Sequence, residues 1–159
     1  MRLKRLSIFN LRRKIVDIKI LARIMGWILF FLYTGSATAS AKVIIIANKE
    51  VEGNLISRKT LAEIYKNEKS LWDSGMTIRV VLQVVGNTHR EFTEKIIEVP
   101  PAKLKNIWRQ VIFTGTGNMP KLLNTEKDIV KYVSVTKGAI GYIDSETPHT
   151  DVKVLDVEE

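Results

Sequence analysis

The segment at residues 42–47, Lys-Val-Ile-Ile-Ile-Ala, constrains the fold more than any other part of the chain. It contains four consecutive β-branched residues, which favour a β-strand. Because its apolar residues run without polar alternation, the pattern predicts a strand that is buried on both faces. A domain built around such a strand needs packing partners on each side of its sheet.

Three further segments have strand patterns. Residues 77–85 place alternate apolar side chains on one face, and Gly86 ends the strand. Residues 139–143 form a short buried strand in which Gly141 permits close approach of neighbouring atoms. Gly138, just before it, suits the left-handed position that follows a helix. Residues 152–155 are predicted to add a strand at the edge of the sheet.

Helical patterns separate these strands. Ser57 is suited to cap a short helix, and Thr88 with the glutamate three residues later forms a capping box. Pro101 fits the first turn of a third helix, and a fourth begins near Thr125. Strands and helices therefore alternate, which predicts a compact α/β domain with a small mixed β-sheet flanked by helices.

The first 41 residues have the order of a secretory signal peptide. A basic region is followed by an uninterrupted apolar run at residues 24–33 and by a stretch of small residues. The apolar run is shorter than the roughly 20 residues that span a membrane. Cleavage is predicted after Ala39 or Ala41, which leaves a domain at residues 42–159 in the bacterial periplasm. Retention of residues 1–41 as a signal anchor is the alternative.

The formal net charge of +8 lies almost entirely in that leader. Residues 1–41 hold eight of the 25 Lys and Arg residues and one acidic residue, Asp17, so residues 42–159 carry a net charge of +1. A nearly neutral domain does not fit nucleic-acid binding. The chain contains no cysteine, which excludes disulfides, thiolate metal ligands and a thiol nucleophile.

Residue clusters for catalysis or metal binding are scarce. The two histidines, His89 and His149, are far apart in the chain, and neither lies in a zinc-binding motif. No nucleophile elbow or phosphate-binding P-loop occurs. The chain is therefore predicted not to be an enzyme and to use no cofactor or metal.

The candidate ligand site is the loop at residues 86–90, Gly-Asn-Thr-His-Arg, where a predicted strand ends and a helix begins. Free backbone N–H groups and the helix dipole at such a place favour an anion. Thr88 can add a hydroxyl donor and Arg90 a forked cation. The predicted oxyanion-binding residues are Asn87, Thr88 and Arg90. The structural alternative is that Thr88 only caps its helix and Arg90 points into water.

Three blocks of sequence, in this order, resemble the periplasmic phosphate-binding proteins of ABC importers. They are residues 55–65 with Trp72 downstream, residues 78–92, and residues 113–115 through 138–144, which include Gly-Ala-Ile-Gly-Tyr. The resemblance runs from about Leu55 to Asp144 and implies a single periplasmic-binding-protein-like lobe. Only Thr88 matches in kind the Ser-Gly-Thr that holds phosphate in the full-length family.

The resemblance implies a periplasmic solute-binding-like component that binds phosphate or a similar small inorganic anion. Binding is expected to be weak, because one lobe cannot close around its ligand and water competes for each hydrogen bond. The implied partner is an inner-membrane ABC permease or another envelope protein. A second hypothesis is a ligand-free envelope interaction module that retains the fold, and an exposed apolar patch including Trp72 or Trp108 would favour it.

Overall fold

The computed structural model describes residues 42–115 and 117–158. The predicted signal peptide at residues 1–41 lies outside the described residues. Within the part of the chain that is described, no helix is long and apolar enough to cross a membrane.

The described residues contain one mixed sheet. Its strands are β1 (Val43–Ala47), β2 (Leu55–Ser57), β3 (Arg79–Gln83), β4 (Lys121–Leu123), β5 (Ala139–Asp144) and β6 (Lys153–Glu158). They lie in the order β2-β6-β1-β5-β3-β4. β1 is antiparallel to its neighbours β5 and β6, and the other three pairs are parallel. The carboxyl ends of β3, β4 and β5 therefore meet at one edge of the sheet.

Helices cover both faces of this sheet. They are α1 (Arg58–Tyr65), α2 (Asn87–Glu91), which continues directly into a π-helical turn (Phe92–Ile96), α3 (Pro101–Thr114) and α4 (Glu126–Val135). One core joins α1, the π-helical turn and α3 to Ile45 of β1. A second core joins α4 to Ile46. Since adjacent residues of β1 enter opposite cores, the prediction of a strand buried on both faces is confirmed, as is the α/β fold class.

The local sequence accounts for several element boundaries. Ser57 caps α1, because its Oγ accepts from Thr60 N at 3.0 Å. Pro101 occupies the first turn of α3. Gly138 has a φ of +72°, and a Cβ at Gly141 would lie only 2.9 Å from Cγ2 of Ile129 on α4. The roles predicted for both glycines, a left-handed turn and a close approach, are confirmed.

Two local predictions are wrong. The capping box of Thr88 does not form, because the N-cap of α2 is Gly86, two residues before Thr88, and Gly86 provides no side-chain cap. The segment near residues 152–155 is not an edge strand, because β6 lies between β2 and β1. The edges are instead the three-residue strands β2 and β4, which are too short to produce a periodic signal.

Candidate functional site

The predicted ligand loop lies at the carboxyl edge of the sheet. The chain leaves β3 and enters α2, whose continuation packs on one face, and it leaves the neighbouring β4 and enters α4 on the opposite face. Connections that diverge to opposite faces leave a crevice beyond the strand ends, where ligands bind in open α/β sheets. The fold therefore puts the start of α2 at a position suited to a ligand.

The backbone at the start of α2 depends on Gly86. This residue has a φ of +144°, a conformation that side chains disfavour, and a Cβ there would lie 3.1 Å from Nε2 of Gln83. The turn brings the first N–H groups of α2 to the edge of the sheet, and N–H groups in a first helical turn have no carbonyl partner within the helix. They are available to an acceptor from elsewhere.

The three predicted site residues separate into two groups. Asn87 and Arg90 are exposed, and Arg90 Nη2 donates to Asn87 Oδ1 at 3.3 Å. Thr88 is only 6% exposed, and its Oγ1 donates to Glu126 Oε1 at 2.6 Å. The guanidinium and the amide thus lie together at the surface, and the hydroxyl points inward to a carboxylate.

Glu126 is the residue that sequence reasoning missed. It is the first residue of α4, and its Oε2 accepts from the backbone N of Asp144 at 3.0 Å and from the hydroxyl of Thr147. Through Glu126 the segments that follow β3, β4 and β5 are tied together. Its place directly after the helix-capping Thr125 was the one available signal, since acidic residues favour the first turn of a helix.

A second hydrogen-bonded chain lies beneath α2. Gln83 N donates to the hydroxyl of Tyr142 at 3.0 Å, and that hydroxyl lies 2.6 Å from Nδ1 of His89. The hydroxyl donates to Nδ1 in the neutral tautomer that carries its proton on Nε2, and it accepts from Nδ1 in the other tautomer. Burial lowers the pKa of His89, which favours the neutral form. Burial also raises the pKa of Tyr142 and keeps its hydroxyl protonated.

The side chain of Gln83 borders the ligand loop and has an unsatisfied atom. Its Oε1 is buried and finds no donor among the described residues. A buried acceptor without a partner costs about 1–3 kcal/mol.

Among residues 42–115 and 117–158, no group of three or more His, Asp or Glu side chains is arranged to hold a metal ion.

A groove of about 400 Å³ lies at the β2 edge of the sheet, outside the predicted site. Its lining includes Leu55, Ser57, Trp72 and Asp73. The indole of Trp72 donates to the carbonyl of Gly138 at 3.0 Å, which fixes the ring as part of the fold. This groove contains none of the predicted oxyanion residues.

No protein-family model matches the chain, and no curated protein matches its sequence. Solved structures do match. The chain is similar to an ABC-type phosphate transport receptor from Vibrio cholerae, with 18% identity and a TM-score of 0.57, over 74% of this chain and 46% of that one. It is also similar to a putative phosphate ABC transporter substrate-binding protein with bound phosphate from Clostridium perfringens, with 18% identity and a TM-score of 0.58, over 72% and 44% of the two chains. A possible phosphate binding protein from Planctomyces limnophilus matches with 13% identity and a TM-score of 0.55, over 74% and 41%.

The chain thus spans less than half the length of each of these proteins. Identities this low establish a shared backbone fold and nothing about the ligand. The part of the chain from β1 to β6 has the α/β fold of the phosphate ABC transporter substrate-binding proteins, over the length of a single lobe.

Proposed function

We propose that the chain is a periplasmic solute-binding-like protein that binds phosphate or a similar oxyanion weakly and is not an enzyme. The proposed site consists of Asn87, Thr88 and Arg90. The observation that carries the proposal is the bond from Thr88 Oγ1 to a carboxylate oxygen, at the edge of the sheet where α2 and α4 both begin. A position that already satisfies one anionic oxygen has the donors and the helix dipoles that an oxyanion needs.

The exposure of Arg90 and Asn87 is consistent with weak affinity. Their contact at 3.3 Å is long, so an incoming oxyanion can displace Asn87 from the guanidinium at little cost. A site that is open on one side leaves the bound ion in contact with water, which competes for each hydrogen bond. The partner that this function implies is an ABC permease or another protein of the envelope.

Calorimetric titration of the purified protein with phosphate, sulfate and molybdate tests the proposal. Heat of binding is expected at millimolar phosphate. Arg90→Ala should weaken the affinity for phosphate about tenfold or more, because a charge-assisted donor is lost. Arg109→Ala on α3 is the matched control, since it removes an exposed arginine far along the chain from the loop. No heat with any of the three anions would refute the function, and an equal effect of both substitutions would refute the site.

A second candidate function is a ligand-free interaction module of the envelope. Its support is a set of exposed apolar residues between the end of α3 and β4, in which Phe113 is 82%, Met119 68% and Leu122 56% exposed. The tryptophans do not contribute as expected, because Trp108 is buried and Trp72 is half-buried. Exposed apolar side chains that form a contiguous patch are typical of surfaces that bind other proteins.

The two candidate functions predict different effects of one substitution. Phe113→Ser should abolish docking onto an envelope partner if the exposed residues form a binding surface, and it should leave anion binding unchanged. Size measurement and membrane co-sedimentation of both forms provide the comparison. Identical behaviour of the two forms would remove the support for the interaction module.

A further inference from the structure

Three hydrogen-bond donors converge on the carboxylate of Glu126, one from the start of α2 and two from the turn at the end of β5. They are Oγ1 of Thr88, the backbone N of Asp144 and Oγ1 of Thr147. The ion pairs among the described residues do not include Glu126. Its charge is therefore held by hydroxyl and amide donors, together with the N-terminal end of α4, where the helix dipole favours negative charge.

This arrangement has the composition of an anion-binding site. Hydroxyl groups and backbone N–H groups bind oxyanions wherever they converge, and they bind a carboxylate by the same geometry. Each oxygen of Glu126 is engaged, Oε1 by one donor and Oε2 by two. The three donors surround a pair of anionic oxygens. Glu126, the first residue of α4, supplies that pair.

We infer that Glu126 is a tethered ligand: its carboxylate fills an anion site made by Thr88, Thr147 and the backbone N–H of Asp144, and it competes there with external oxyanions. The phosphate part of this inference rests on the proposed function. A tethered group has an effective concentration on the order of millimolar or higher. A free oxyanion must therefore reach at least that concentration before Thr88 turns from Glu126 to the ligand.

The competition also follows from charge. An external anion at Asn87, Thr88 and Arg90 approaches a carboxylate that is bonded to the same threonine hydroxyl. The bound anion and the carboxylate of Glu126 would repel each other, because both are negative and both contact Thr88. This repulsion is larger where water is partly excluded. Removing the charge of Glu126 is therefore expected to tighten anion binding, whereas most losses of a hydrogen-bonding side chain at a binding site weaken it.

Two variants of Glu126 test the inference in the full chain. Glu126→Gln keeps the shape and removes the charge, and Glu126→Ala vacates the pocket. Glu146→Gln is the matched control, because it removes one acidic charge from the exposed turn after β5 without removing an acceptor of Thr88. Circular dichroism establishes that each variant is folded, and calorimetry gives the dissociation constant for phosphate.

The expected result is that Glu126→Gln binds phosphate about tenfold more tightly than the wild type, and that Glu146→Gln does not. A second measurement does not depend on phosphate or on Arg90. Formate is expected to raise the melting temperature of Glu126→Ala in a saturable way, because it restores the missing carboxylate, and to leave the wild type and Glu146→Gln unchanged.

The outcomes separate this inference from the proposed function. If formate stabilises Glu126→Ala and no form of the protein binds phosphate, the tethered ligand is supported and phosphate binding is refuted. If the wild type binds phosphate through Arg90, and Glu126→Gln binds it equally or less tightly, the proposed function stands and the tethered ligand is overturned.

Discussion

The side chains of Thr88 and Tyr142 determine how the start of α2 is held. Thr88 lies inside the first turn, and its hydroxyl donates to Glu126, 38 residues further along the chain. Tyr142 reaches from β5 to the backbone of Gln83 and to His89. The sequence indicates that a hydroxyl and a cation lie on this loop. It could not identify Glu126 or Tyr142 as partners, because those contacts depend on the order of the strands in the sheet.

The hydroxyl of Tyr142 is expected to contribute measurably to stability. Tyr142→Phe leaves the buried N–H of Gln83 without its acceptor, and it removes the hydrogen bond between the hydroxyl and Nδ1 of His89. We expect the free energy of unfolding to fall by about 1–3 kcal/mol, the usual cost of an unsatisfied buried donor. Urea unfolding measures the change. Tyr132→Phe, which removes the hydroxyl of a half-buried tyrosine on α4, should change stability by less than about 0.5 kcal/mol. Equal losses in the two variants would contradict the role of the Tyr142 hydroxyl.

Stability is expected to fall as the pH falls below about 6.5, the ordinary pKa of histidine. Burial lowers the pKa of His89 in the folded state, so in this range the unfolded chain binds a proton more readily than the folded one. The contribution of neutral His89 to the free energy of unfolding is therefore fully present above about pH 6.5. It is lost as the pH falls towards the lowered pKa of the folded state. Urea unfolding at about pH 7.5 and about pH 6 measures the loss, which should be smaller in His89→Asn. The same loss in wild type and variant would show that another group is responsible.

At the scale of elements, sequence patterns predict the long segments and miss the short ones. The apolar run of β1 and the glycines around β5 were informative because their length or backbone geometry allows few alternatives. The strands β2 and β4 have three residues each and form by pairing with β6 and β3. That pairing is a tertiary event, so local residues do not determine it.

The contact between β5 and α4 depends on the missing side chain of Gly141. A Cβ at this position would lie 2.9 Å from Cγ2 of Ile129, closer than carbon atoms pack. Gly141→Ala is therefore expected to lower the free energy of unfolding by about 1–3 kcal/mol through overpacking.

A double-mutant cycle isolates that contact. In an Ile129→Ala background the clashing methyl group is absent, so Gly141→Ala should cost less than about 1 kcal/mol there. Urea unfolding of the four proteins gives the interaction energy. A cost that is the same in both backgrounds would contradict the role of Ile129 and point to the other close neighbours of Gly141, Val133 and Val81.

At the scale of the whole molecule, the described residues form one layered unit with a core on each face of the sheet. The similar solved proteins are more than twice as long as the part that matches here. The described residues contain a single six-stranded sheet. The affinity of the proposed anion site at the start of α2 is therefore expected to depend on local donors such as Thr88 and on competitors such as Glu126.

Residues 42–159, produced without the first 41, are expected to fold cooperatively and to keep their dimensions when phosphate is added. Both cores lie within this segment, which supports independent folding. A compact monomer of that length has a radius of gyration of about 13–14 Å. Small-angle scattering with and without phosphate measures it, and urea unfolding followed by two probes tests for a single transition. Values well above this range would indicate association or incomplete folding. A decrease on adding phosphate would mean that two parts of the molecule close on the ligand, which a single rigid lobe cannot do.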